Sequence, residues 1–236
     1  MKYNKMLRYK ACRNSIVTLE LLNNTKTNEK RSNVVNDKYA NFRCNMAKVV
    51  NITNVKTGAL MENDVSFYND EFKYRLGEVV KTSFHEIHLN AVCTKGIHYF
   101  KTKKVAVSWF YTMNDLNFPD GNWIMYYENG QKQSEGTYKN GEKDGKWIDW
   151  YENGQIESEG TYKDGERNGK WIGWHDNSNK DFEGTYKNRT LDGKMIEWWN
   201  NGYKKSEGTY KDWEKIGEWV YWDIDGNKME NGYFWM

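Results

Sequence analysis

The chain has 236 residues with a formal net charge of +2, 29% charged and 38% hydrophobic side chains, 12 tryptophans, 20 glycines and three cysteines. No stretch approaches the ~18 apolar residues that span a bilayer, and Met1-Lys2-Tyr3-Asn4-Lys5 leads into no apolar signal core, so the expectation is an intracellular, cytoplasmic protein without a transmembrane segment. Cys12, Cys44 and Cys93 are too few and too widely spaced for a disulfide scaffold and read as free thiols, at least two of them buried.

The small net charge conceals an asymmetry: residues 1–60 carry +9, residues 61–118 balance, and residues 119–236 carry −7. All tryptophans lie from Trp109 onward, which separates a basic head, residues 1–113, from an acidic arm, residues 114–236. In the head, Lys2, Lys5, Arg8, Lys10 and Arg13 interleave with Tyr3 and Tyr9, a composition that holds phosphate and stacks a base. No recognised binding module accompanies them and the acidic arm repels a long polyanion, so a nucleic-acid or anionic-lipid adaptor is the secondary functional reading.

Ser15–Leu22 reads as a strand, Asn23–Asn36 as a polar loop and Lys48–Ile52 as a second strand. Phe72–Val80 and Ile97–Phe100 supply further strand candidates, and Lys103–Tyr111 a short helix, for a small α+β domain. His85, His88, Cys93 and His98 are ligand types that suit zinc, yet their spacing is not that of a common finger, and packed or surface residues are the preferred reading. His98 beside Gly96 is the one position in the head where chemistry would be sought. No serine elbow, phosphate loop, dinucleotide fingerprint or His-Glu-x-x-His is present, so no catalytic residue and no cofactor are assigned.

From residue 120 the chain repeats every 24 residues, in units starting near 120, 144, 168, 192 and 216. Gly121, Gly145, Gly169, Gly193 and Gly217 form one column, Gly136, Gly160, Gly184 and Gly208 a second, and Tyr138, Tyr162, Tyr186 and Tyr210 a third. Asn129-Gly130, Asn153-Gly154 and Asn201-Gly202 are tight-turn pairs, which makes each unit a β-hairpin and the chain mainly β. Period-2 alternation puts Ile148 and its equivalents on one face with Trp150, Trp174, Trp198 and Trp222, read as structural. Trp123, Trp147, Trp171 and Trp219 project to the other face, as candidate partner anchors or as residues covered by the head or a second copy. Glu128, Glu152, Glu135, Glu159, Glu183 and Glu207 read as solvent-facing strand residues. Ser178, Arg189 and Trp213 replace glycine in three turns, with the register expected to hold.

The pattern Asp144-Gly145-Lys146-Trp147-Ile148-Asp149-Trp150-Tyr151-Glu152-Asn153-Gly154-Gln155, followed by Glu159-Gly160-Thr161-Tyr162, resembles the MORN repeat family, in the variant common in bacterial and giant-virus proteins. The resemblance covers about residues 120–236 and implies an elongated single-layer antiparallel sheet of hairpins. Proteins with such repeats serve as scaffolds, protein-binding modules or membrane-associated adaptors. Phe42–Val49 and Cys93–Phe100 resemble motifs of an uncharacterised domain of large DNA viruses of amoebae, over about residues 10–112. That likeness implies a viral source, with a virion or host-cell location, and no reaction. The expected function is a non-enzymatic protein-interaction or scaffold protein whose partner is a protein with a basic surface. Self-association through the last strand, near Phe234, is a further expectation.

Overall fold

The computed structural model describes residues 6–67, 69, 72–82, 96–187 and 189–229. His85, His88, Cys93, Phe234 and the basic residues Lys2 and Lys5 lie outside the described residues. Contacts divide the chain into two units: Met1–Asn117 with Met125–Gln131, and Phe118–Ile124 with Lys132–Met236.

The first unit holds strands β1 (Leu7–Ala11), β2 (Ser15–Glu20), β3 (Asn41–Cys44), β4 (Met46–Asn54), β5 (Asn63–Val65), β6 (Lys73–Arg75), β7 (Val79–Lys81) and β8 (Ile97–Phe100), then helix α1 (Lys103–Met113). Six strands form one sheet in the order β3-β8-β1-β2-β4-β7, and β5 pairs with β6. Alternating apolar residues of β2 and β4 build the core: Val17, Leu19, Val49 and Ile52 are fully buried, together with Phe42, Cys44, Tyr99 and Cys12. Cys12 and Cys44 are free, and burial pushes both thiols up to about 12. The strand candidate at Phe72–Val80 is two short strands, because Gly77, at φ 86°, turns the chain between β6 and β7.

Strand β1 takes two of the five cations of the basic segment, Arg8 and Lys10, into the fold of the head. It lies inside the sheet, between β8 and β2. Arg8 pairs with Glu29 at 2.9 Å, and Lys10 is 6% exposed, so these two cations serve the fold of the head rather than an outside phosphate. Glu29 also accepts from the Tyr99 hydroxyl at 2.7 Å and pairs with Lys101 at 3.1 Å. Burial raises its pKa, and the hydrogen bonds from Tyr99, Lys101 and Arg8 outweigh that effect and hold it below the usual carboxylate value.

Residues 125–131, the turn of the first hairpin, pack within this unit. Tyr126 stacks on Tyr39 at 4.4 Å, and the Asn129 carbonyl accepts from the Val35 and Asn36 amides. Gly130 is required twice over: its φ is 87°, and a Cβ there would lie 2.1 Å from the Asn36 carbonyl oxygen.

The second unit is one antiparallel sheet of sequential hairpins: β9 (Gly121–Tyr126), β10 (Lys132–Lys139), β11 (Glu142–Trp150), β12 (Ile156–Lys163), β13 (Glu166–Trp174), β14 (Lys180–Lys187), β15 (Thr190–Trp198), β16 (Lys204–Lys211) and β17 (Glu214–Tyr221). A bulge recurs in each connector hairpin. Glu135 pairs with Ile148 and Thr137 with Asp144, so Gly136 alone stands opposite Gly145, Lys146 and Trp147. The same shift returns at Gly160 and Gly208.

The two glycine columns therefore have different causes. Gly145 and Gly169 have φ near 75°, and a Cβ added at either would meet open space, so backbone conformation demands them. Gly136 and Gly160 are demanded by space: a Cβ would lie 2.3 and 2.2 Å from the indoles of Trp147 and Trp171. Each indole lies flat over the preceding unit's glycine and donates its N–H to the next carbonyl, that of Thr137 or Thr161, at 3.1 Å. Tyr138 and Tyr162 close the sides edge-on at 5.1 and 5.0 Å, and Lys143 and Arg167 cover the rings at 4.1 and 4.2 Å.

This geometry decides between the faces. Trp147 and Trp171, read as candidate anchors or as residues covered by the head or a second copy, are 0% exposed, whereas Trp150, Trp174, Trp198 and Trp222, read as structural, are half-buried. In a single layer, burial comes from a neighbouring unit that has no side chain in the way, and only the Trp147 column faces glycine. Trp123 and Trp219 are also half-buried; Trp123 packs edge-on to Phe118 at 5.0 Å and Trp219 to Tyr210 at 5.0 Å.

Departures from the repeat occur in compensating pairs. Where Met195 replaces the tryptophan, Leu191 replaces the covering cation, and both approach Gly184. Ser158 donates to Asp149 and Ser206 to Glu197 across the register, and where Phe182 replaces serine its partner is Gly173, over which the ring lies. Ser178, at φ 70°, keeps the turn that Gly154 and Gly202 make, and Lys187 still pairs with Thr190 in the connector that holds Arg189.

Candidate functional site

The accessible aromatic face of the second unit is built from the strands' own alternation. Ile148, Ile172, Ile196 and Val220 share it with Trp150, Trp174, Trp198 and Trp222, all half-buried. Lys132, Lys180 and Lys204 lie over Trp150, Trp198 and Trp222 at 5.3, 5.1 and 5.4 Å. At the equivalent position beside Trp174 stands Ile156, 37% exposed, which makes Ile156 and Trp174 an apolar break in a row of cation-covered rings.

The periodic carboxylates flank these rings. Glu159, Glu183 and Glu207 pair across strands with Lys146, Lys170 and Lys194 at 3.0, 2.6 and 2.6 Å. Lys132, Lys180 and Lys204 reach Glu135, Glu183 and Glu207 from three residues before them on the same strand. Hydrogen bonds from Lys170 and Lys194 hold Glu183 and Glu207 below the usual carboxylate value, the opposite of what a general acid needs. The lysines also neutralise these acids, so they do not by themselves select a basic partner.

A second ladder, which the repeat pattern alone does not announce, runs along the hairpin turns. The amides of Asn153, Asn177 and Asn201 donate to the carbonyls of Asp176, Asn200 and Ile224 in the next turn, at 2.8, 2.6 and 2.6 Å. Two residues earlier, the Tyr151 hydroxyl and the Trp199 indole N–H donate to Trp174 and Trp222 carbonyls, and the His175 imidazole bonds to the Trp198 carbonyl. Tyrosine, histidine and tryptophan share one role there, a ring-borne polar atom 23 residues from its partner. The signal for this ladder is the Asn that recurs in the first four turns, whose side chain does more than tolerate positive φ.

In the first unit, His98 pairs in register with Arg43 and lines a small cavity with Lys10, Asn41 and Trp109. Its volume, about 30 Å³, is that of about one water molecule. Burial, with Arg43 and Lys10 nearby, pushes His98 down to about 2, and burial lowers Lys10 as well. His98 is thus a neutral packed residue at ordinary pH. Among the described residues no group of three or more His, Cys, Asp or Glu is arranged to hold a metal ion, and no helix is long and apolar enough to cross a membrane. Strand β17 is the last in the order of the sheet among the described residues; the terminal edge expected to self-associate lies outside them.

Residues 2–106 match the family of unknown function (DUF5758), and residues 119–140, 143–164, 167–188 and 191–212 match the MORN repeat variant. The first match covers the head, and the second covers four of the repeats. The fifth period contributes β17 and the turn at Asp223–Asn227 beyond the matched copies. No curated protein matches the chain.

Proposed function

From the repeat identity and the row of half-buried tryptophans beside it, we propose that this protein is a non-enzymatic scaffold whose repeat sheet binds a protein partner through the Trp150–Trp174–Trp198–Trp222 face. The observation that carries the reading is the periodic placement of large aromatics on one face of the sheet, where they stay half-buried. Such rings are efficient anchors, since they bury much area for few frozen torsions. Ile156 and Trp174 form the centre of the surface, and the surrounding Lys–Glu pairs form a polar rim. Paired charges of both signs favour a partner that presents both, with binding that weakens as salt rises.

The test is affinity capture from cells with the full chain, followed by titration of the purified partner against the full chain and against the double variant Ile156→Ser, Trp174→Ser. A loss of at least ~10-fold in affinity, with unchanged far-UV circular dichroism, is expected. Unchanged affinity in the folded double variant contradicts the assignment of this face.

A further inference from the structure

The connectors of the repeat sheet differ at one position. Gly141 and Gly165 stand there at φ 80° and 78°, but Arg189 and Trp213 occupy the same place at 73° and 69°. A side chain in left-handed backbone is strained, and Trp213 stays 56% exposed, so burial of its ring does not explain its presence. The third connector, Lys187-Asn188-Arg189-Thr190, also lacks the acids that Asp164 and Glu166 supply one unit earlier. It places a basic spot on an arm whose net charge is −7.

These two side chains wall a cleft of about 370 Å³, which Tyr162, Gly165, Glu166, Arg167 and Tyr186 also line. The Trp213 and Tyr186 rings meet edge-on at 6.1 Å. Arg167 lies 5.5 Å from the Tyr186 ring, and Arg189 is held by an ion pair with Glu166. Two units earlier the equivalent connector positions are Gly141 and Gly165, which supply no walls. The cleft is therefore the product of the two departures from glycine.

We propose that this cleft binds a small planar aromatic anion of the nucleoside monophosphate class, its ring against Trp213 and its phosphate on Arg189 and Arg167. An exposed indole offers a face to any base, and the guanidinium fork matches a phosphate with two parallel hydrogen bonds. The acidic arm around the basic spot disfavours a long polyanion, which selects a mononucleotide over a strand.

The test is calorimetric titration of the full chain with adenosine monophosphate, with adenosine, inorganic phosphate and a short single-stranded oligonucleotide as parallel probes. Adenosine monophosphate should bind with a dissociation constant below about 1 mM and more tightly than the other three probes. Trp213→Gly and Arg189→Gly, each restoring the residue of the earlier connectors, should weaken it at least ~10-fold while leaving the unfolding midpoint equal or higher. Trp213→Phe should retain most of the affinity. No binding at millimolar concentration, equal binding of inorganic phosphate, tighter binding of the oligonucleotide, or glycine variants that bind as well as the parent overturns the proposal. A lowered midpoint in both glycine variants also overturns it, because the two residues would then serve the fold. None of these outcomes bears on the tryptophan face, which uses other residues of the sheet.

Discussion

The two units bury their side chains by different means. In the first, apolar residues from several strands gather into one cluster, and Val17, Leu19, Phe42 and Val49 are hidden by residues distant in sequence. In the second, among the described residues, no second layer of strands or helices lies above or below the sheet, yet Trp147 and Trp171 are as deeply buried. There, burial runs sideways: each indole occupies the volume vacated by a glycine in the neighbouring hairpin, and Tyr and Lys or Arg close the remaining sides. A single layer can thus have a core without a second layer, provided that the small residue and the large one alternate from unit to unit.

The sharpest way to break this comparison is to fill the vacated volume. Gly160→Leu forces the Trp171 indole off the backbone, and a loss of about 3 kcal/mol or more of stability is expected in chemical denaturation of the full chain, beyond that of ordinary overpacking. Gly145→Ala meets no atom and costs only its left-handed backbone, about 1–2 kcal/mol. Equal losses for the two would remove the distinction between the glycine columns.

The head supplies the next effect. The unfolded chain takes up a proton on His98 near pH 6.5, whereas the folded head resists it down to about 2. Below pH 6.5 the unfolded state therefore binds more protons, and stability falls with falling pH by up to about 1.4 kcal/mol per unit from this group alone. Glu29, lowered in the fold, adds a further loss below the usual carboxylate pKa. His98→Phe should flatten the slope between about pH 6.5 and 5, measured by denaturation at fixed ionic strength. A slope that persists unchanged in the variant assigns it to other groups.

The smallest effect tests the compensating pairs. Met195→Trp returns the indole to the unit that lacks it, and Leu191→Lys returns the covering cation. A double-mutant cycle should show favourable coupling of about 0.5–1 kcal/mol, the size of a cation–π contact. Zero coupling would mean that the cations over Trp147, Trp171 and Trp219 are incidental.

Much of the repeat sheet was legible in the sequence, because the 24-residue beat, the Asn-Gly turns and the alternation each specify hairpins independently. The buried face was not. Alternation divides Trp147 from Trp150 but assigns neither to the inside, and both columns are aromatic. The decision depends on register: the bulge at Gly136 and Gly160 brings a residue without a side chain under one column only. Two signals for it are present in the chain, the glycine column itself and the switch of Lys143 and Arg167 to Leu191 where tryptophan becomes Met195. In the head, the segment with Arg8 and Lys10 reads as a phosphate-holding composition because the sequence shows their charge and not their partners. Their partner Glu29 and the flanking strands β2 and β8 are close only in the fold.

The central claim is that sideways burial over glycine, rather than the face lined by Trp174, stabilises the repeat sheet. The direct measurement compares Trp171→Ala with Trp174→Ala, two tryptophans on one strand, by chemical denaturation of the full chain. The account predicts a loss of about 3–5 kcal/mol for Trp171→Ala, the cost of emptying a fully buried aromatic site, and less than half of that for the half-buried Trp174. An equal or larger loss at Trp174 would contradict it.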